Sequence, residues 1–123
     1  MEAKVIRVIN KMIENSHLIS DVLVAPGSDE FYFVYDKKSK WSISMKNISP
    51  TDIMLYYYPD NVTVTQLVDQ PLEYQNFMTY RASDFKSQEV DESFRDLYTT
   101  VKGKLYGIDK VFDEILGEDE PFT

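Results

Sequence analysis

The chain has 123 residues, of which 43% are hydrophobic and 14% aromatic; this is the size and composition of one folded domain able to bury its own core. It contains no cysteine, which excludes disulfides, thiolate nucleophiles and cysteine-bound zinc or iron–sulfur centres. The net charge of −8 is uneven: residues 1–48 hold six acids and seven bases, residues 49–83 four and one, and residues 84–123 eleven and five, so phosphate backbones and anionic lipid are poor partners for it.

Charges recur through residues 2–16, and the longest unbroken apolar run is Ile53–Tyr58. Neither a signal peptide nor a membrane span is expected, and the cytoplasm is the expected compartment. From Glu2 to Asn15, the residues Val5, Ile9, Met12 and Ile13 fall on one stripe, flanked by Ile6 and Val8. That spacing predicts an amphipathic helix, ended by Asn15 and Ser16. Ile19–Ala25 predicts a short strand entering a Pro26–Gly27 turn, where proline suits the second turn position and glycine the positive φ of the third.

The runs Phe31–Tyr35 and Trp41–Met45, joined by Asp36–Lys40, predict a β-hairpin. Pairing Asp36 with Lys40 sets Tyr35 opposite Trp41, Phe33 opposite Ile43 and Phe31 opposite Met45 on one face, and leaves Tyr32, Val34, Ser42 and Ser44 on the other. A one-residue slip would mix the two faces. The tip lacks the favoured Asn-Gly pair, and Lys37, Lys38 and Lys40 read as a solvated turn that blunts the strand edges.

Beyond a loop at Ile48–Thr51 that contains Pro50, Asp52–Tyr58 predicts a central strand. Both its faces are apolar, Ile53, Leu55 and Tyr57 against Met54, Tyr56 and Tyr58. Pro59–Asn61 is a turn, and Val62–Thr65 predicts another strand; the alternative there is a short helix capped at Thr65 and stopped by Pro71. Asn76–Ala82 predicts the last strand. With Ser87 as cap, the series Val90, Phe94, Leu97, Tyr98, Val101, Leu105, Ile108, Val111, Phe112, Ile115 and Leu116 predicts one long helix stopped at Gly117. The stripe keeps phase across Gly103 and Gly107, so these two read as tolerated glycines on the back of a continuous helix.

The expected fold is therefore α+β: an N-terminal helix, an antiparallel meander of five or six strands, and a long C-terminal helix across the sheet. A single domain would span 1–117, followed by an acidic tail at 118–123. The face of Phe31, Phe33, Tyr35, Trp41, Ile43 and Met45 should meet Phe94, Leu97, Val101, Leu105 and Ile108. The second face, with Tyr32, Met54, Tyr56 and Tyr58, needs a cover, either the N-terminal helix or another chain. Serines between tyrosines favour another chain.

Little in the sequence points to catalysis. His17 is the only histidine, close to Glu14, Ser16 and Asp21, and has no nucleophile elbow around it. One histidine without cysteine makes a transition-metal site unexpected, and no spaced calcium loop or phosphate-binding glycine loop occurs. No catalytic, metal or cofactor residues are assigned. The expectation is a small acidic non-enzymatic protein-binding module that meets a protein partner or a second copy through Tyr32, Met54, Tyr56 and Tyr58, without direct contact to nucleic acid or membrane. One alternative is that Asp113, Glu114, Glu118, Asp119 and Glu120 imitate nucleic-acid phosphates and fill the basic groove of a nuclease or DNA-binding protein, as an inhibitor or immunity-type protein would. The other is an enzyme with an unrecognised carboxylate site. In size and charge alone the chain is similar to secretion chaperones, toxin-immunity proteins and phage inhibitors.

Overall fold

Among the described residues, five antiparallel strands lie side by side in the order in which they occur along the chain. The structure, a computed structural model, describes residues 2–46, 52–70 and 76–119. The elements are α1 (Glu2–Glu14), a 3-10 turn (Ser16–Leu18), β1 (Ile19–Val24), β2 (Glu30–Tyr35), β3 (Ser39–Lys46), β4 (Asp52–Tyr58), α2 (Val64–Asp69), β5 (Met78–Arg81), a second 3-10 turn (Ala82–Phe85), α3 (Gln88–Tyr106) and α4 (Ile108–Asp119). The loop expected at 48–51 and the stop expected at Pro71 lie outside the described residues. The fold is the expected α+β arrangement, with β4 interior to the sheet, between β3 and β5.

The Pro26–Gly27 turn forms as its residues dictate: the Ser28 N–H donates to the Ala25 carbonyl across 3.1 Å, and Gly27 takes φ +71°. β1 carries a bulge, because its register to β2 shifts between Ser20 and Leu23 and Asp21 adopts φ +53°. A short polar side chain tolerates that left-handed conformation better than its β-branched neighbour Val22 would.

The hairpin has the expected faces but a different register. Tyr35 pairs with Ser39, Phe33 with Trp41 and Phe31 with Ile43, two residues away from Tyr35–Trp41 and Phe33–Ile43. The turn decides this. Lys38 N–H donates to the Tyr35 carbonyl at 3.1 Å, and Asp36 and Lys37 both take positive φ, +54° and +55°, the handedness that matches strand twist. A two-residue slip leaves every side chain on its own face, so the hydrophobic pattern is blind to it.

One face of the sheet packs as expected. Phe31, Phe33, Ile43, Ile53 and Leu55 form a single buried cluster with Phe94, Leu97 and Val101 of α3, against which Tyr35, Trp41, Met45 and Leu105 pack. Ile9 and Met12 of α1 belong to the same cluster, so both helices share this face. They are joined by the Ser93 hydroxyl donating to Asn10 Oδ1 at 2.9 Å. Each fully buried apolar side chain contributes roughly 1.5–3 kcal/mol.

Two helical expectations are corrected. Residues 62–65 are not a strand: Val64–Asp69 is helix, and its cap is Thr63 rather than Thr65. Thr63 Oγ1 accepts from the Gln66 N–H and Gln66 Oε1 accepts from the Thr63 N–H, a reciprocal box that satisfies two otherwise unpaired donors. The long C-terminal helix is interrupted, because Gly107 takes φ +62° and its N–H closes α3 on the Gly103 and Lys104 carbonyls. A turn through one left-handed residue redirects the chain without altering the spacing of apolar residues, so the stripe concealed it. Gly103 is not a tolerated back-face residue either, since a Cβ there would stand 3.1 Å from Ile108 Cγ2. Gly117 does not stop the helix, which runs on to Asp119.

Candidate functional site

The tyrosine face is covered from within the chain. Val64 and Leu67 of α2 are buried against Tyr32 and Tyr58, with Leu23, Val34, Tyr56 and Phe77 around them. Tyr32 and Met54 are buried and Tyr58 is 1% exposed, while Tyr56 is half-buried. Of the surface expected at Tyr32, Met54, Tyr56 and Tyr58, α2 thus covers Tyr32 and Tyr58, with Tyr56 at the margin of the same cluster and Met54 buried outside it; the cover was missed because residues 62–65 read as strand.

The serine argument fails for a chemical reason. Ser42 is fully buried; its hydroxyl donates to Glu30 Oε2 at 2.6 Å and lies 2.8 Å from the Tyr58 hydroxyl. With the serine proton engaged on Glu30, Tyr58 is the donor across the second contact. Tyr58 also reaches Glu30 Oε2 at 3.4 Å and stacks on Tyr32, with ring centroids 5.9 Å apart. A small hydroxyl-bearing residue is what lets a buried phenol find a partner here. Burial raises the Tyr58 pKa strongly, opposed by its bond to Ser42 and reinforced by Glu30. Burial and then Glu30 push the Tyr32 phenol up to about 12. Both phenols stay protonated at neutral pH, as donors in a structural network.

The exposed apolar surface lies elsewhere. Val111, Phe112, Ile115 and Leu116 of α4 are 42%, 54%, 53% and 59% exposed, next to exposed Tyr106 and Ile108. Their spacing puts them on one face, with Asp113 and Glu114 bordering it on either side. Asp113 and Glu114 are exposed. Glu118 and Asp119 fall in the last turn of α4, not beyond the helix end; their side chains, and Glu120, lie outside the described residues. Ile108 was expected against the sheet, but α4 turns away at Gly107 and Ile108 packs on Gly103 instead.

A second apolar feature opens on the helix-bearing face. Val5 and Val8 of α1, Trp41, Leu55, Tyr80 and Phe85 line a groove of about 470 Å³. Lys4 stands at its edge, and Lys4, Arg7 and Lys11 run along α1 beside Val8. At the hairpin tip, Lys37, Lys38 and Lys40 face Asn61, Thr63 and Thr65 across a shallow cleft. The Lys38–Asp36 pair there, at 3.8 Å with both side chains largely in solvent, adds little to stability.

His17 is exposed on the 3-10 turn. Among the described residues no three of histidine, aspartate and glutamate gather to hold a metal ion, and no helix is long and apolar enough to cross a membrane. Asp52 ties the start of β4 to the turn that follows β5: its carboxylate accepts from the Ser83 N–H at 3.1 Å and the Ser83 hydroxyl at 2.8 Å, with Arg81 3.9 Å away. No protein-family model, curated protein or solved structure matches the chain.

Proposed function

We propose that the chain is a non-enzymatic protein-binding module, with the cytoplasm as its compartment, and that α4 is its binding element. The observation that carries this reading is the exposed apolar face of Val111, Phe112, Ile115 and Leu116, which has no partner among the described residues. A helix that offers anchors at i, i+1, i+4 and i+5 with polar residues on its back suits insertion into an apolar groove of another protein. Contiguous apolar surface of this kind on a small soluble fold marks an interaction site more often than ordinary surface. A lipid surface fits poorly, because Asp113 and Glu114 border the stripe where a membrane-surface helix carries lysine and arginine. Among the described residues, the carboxylate most engaged by hydroxyls, Glu30, serves the packing of Tyr58 and Ser42.

The test is affinity capture from cells expressing the full chain, native against Phe112→Asp/Ile115→Asp, followed by mass spectrometry. The reading expects proteins held by the native chain and lost by the variant, whose thermal unfolding stays unchanged because both positions face solvent. An identical set of captured proteins would reject the apolar face of α4 as the binding surface. The acidic-mimic alternative draws on Asp113 and Glu114, both exposed on the same helix. Capture that survives Phe112→Asp/Ile115→Asp, fails with Asp113→Asn/Glu114→Gln and falls steeply with salt would select it.

A further inference from the structure

We infer that the occupant of the α1–sheet groove is α4 of a second copy of this chain, so that two protomers exchange their C-terminal helices reciprocally. This rests on the reading of α4 as a binding element and names its partner. The two surfaces match in chemistry. The groove is lined by Val5, Val8, Trp41, Leu55, Tyr80 and Phe85, and α4 presents exposed aliphatic residues and one phenylalanine that no described residue covers. They match in charge as well: Lys4 lines the groove and Arg7 and Lys11 continue along α1 past Val8, three bases against Glu14, while on α4 Asp113 and Glu114 border the stripe and outnumber Lys110 behind it. In a chain of net charge −8 this basic rim is a local exception, and it attracts the acidic helix.

The alternative contact between copies, α4 against α4, would place the acids of one helix beside those of the other and is disfavoured by like charge. Topology favours exchange over self-docking. Ile108 shares a small cleft with Ser16, at the far end of α1 from the Lys4–Val8 groove, so α4 leaves the body at the end remote from that groove. Gly107, at φ +62°, is the joint that sends it outward. Reciprocal seating also closes the assembly at two copies, whereas one-way seating would propagate into chains.

Sedimentation equilibrium on the full chain tests this. The native protein should be a dimer that weakens with added salt. Phe112→Asp should weaken each seating about thirtyfold, as the loss of an anchor residue does, and the dimer, which has two, about a thousandfold. Val8→Asp, in the groove and 38% exposed, should do the same with the circular dichroism of both variants unchanged. The decisive arm mixes them. Phe112→Asp keeps an intact groove and Val8→Asp an intact α4, so the mixture should form heterodimers through one intact seating at concentrations where neither variant associates alone. A dimer indifferent to Val8→Asp, or a mixture that stays monomeric, would overturn the groove assignment. A native chain that is monomeric throughout would overturn the second copy as occupant; α4-dependent capture of other proteins would still leave the protein-binding reading standing, and loss of both would remove both.

Discussion

Replacing Ser42 with alanine removes one oxygen from the sealed face, and the structure states what that oxygen does. It donates to Glu30 Oε2 at 2.6 Å and accepts from the Tyr58 hydroxyl at 2.8 Å. Alanine is close in volume, so no cavity term enters. Tyr58, 1% exposed, would keep a long contact to Glu30 at 3.4 Å and its neighbour Tyr32 but lose its shortest partner, and an under-satisfied buried hydroxyl costs about 1–3 kcal/mol. Tyr58→Phe is milder, about 0.5–1.5 kcal/mol, because Ser42 retains Glu30. The double variant no longer buries a stranded phenol, so it should cost less than the two singles added, with a coupling of at least about 0.5 kcal/mol. Urea unfolding at neutral pH, followed by the fluorescence of Trp41, measures all three. Ser42→Ala within about 0.3 kcal/mol of native, or strict additivity, would show that the hydroxyl is not satisfying Tyr58. A loss of association with unchanged stability would instead return these tyrosines to an interface.

Three further outcomes are expected. Phe33→Ala and Leu97→Ala, both at fully buried positions, should cost about 3–5 and 2–5 kcal/mol in the same assay, and a cost below about 1 kcal/mol would contradict the packing of α3 on the sheet. Because Tyr32 is held at about 12 in the fold against 10.0 for the free group, the unfolded chain releases its proton first as pH rises. Its stabilisation is complete below pH 10.0 and declines by about 1.4 kcal/mol per unit up to about pH 12. Denaturation at stepped alkaline pH should show that slope reduced in Tyr32→Phe, and an unchanged slope would count against it. Finally, Gly107→Ala forces a side chain into the left-handed region and should destabilise by roughly 1–2 kcal/mol. Gly117→Ala, inside α4 with open space where a Cβ would stand, should raise helicity by circular dichroism; the opposite pair of signs would place the helix break at Gly117.

The elements legible in the sequence were those written in strong periodicity. Alternation at Phe31–Tyr35 and Trp41–Met45 set the faces of the hairpin, the stripe from Val90 to Val101 set the core side of α3, and Pro26–Gly27 set a turn. The candidate site was less legible. Exposure of Val111, Phe112, Ile115 and Leu116 cannot be read from spacing, since a stripe that is buried and one that awaits a partner look alike. The signal that could have raised the question was Gly107 itself, with Gly103 one turn before it. The cover on the tyrosine face was likewise within reach through Thr63 and Gln66, whose separation of three residues marks a helix start.

By itself the sequence determined which side chains share a face, because strand and helix periods are local properties of the backbone. It thereby determined the α+β class and the meeting of the phenylalanine face with α3. Tertiary structure decided the rest. The two-residue register of the hairpin was settled by the left-handed geometry of Asp36 and Lys37, to which face patterning is blind. The burial of Tyr58 was settled by a six-residue helix too short to stand alone, which forms because the apolar face beneath it needs a cover. The exposure of α4 was settled at Gly107, where one backbone torsion turns a continuous stripe into a buried half and an open one.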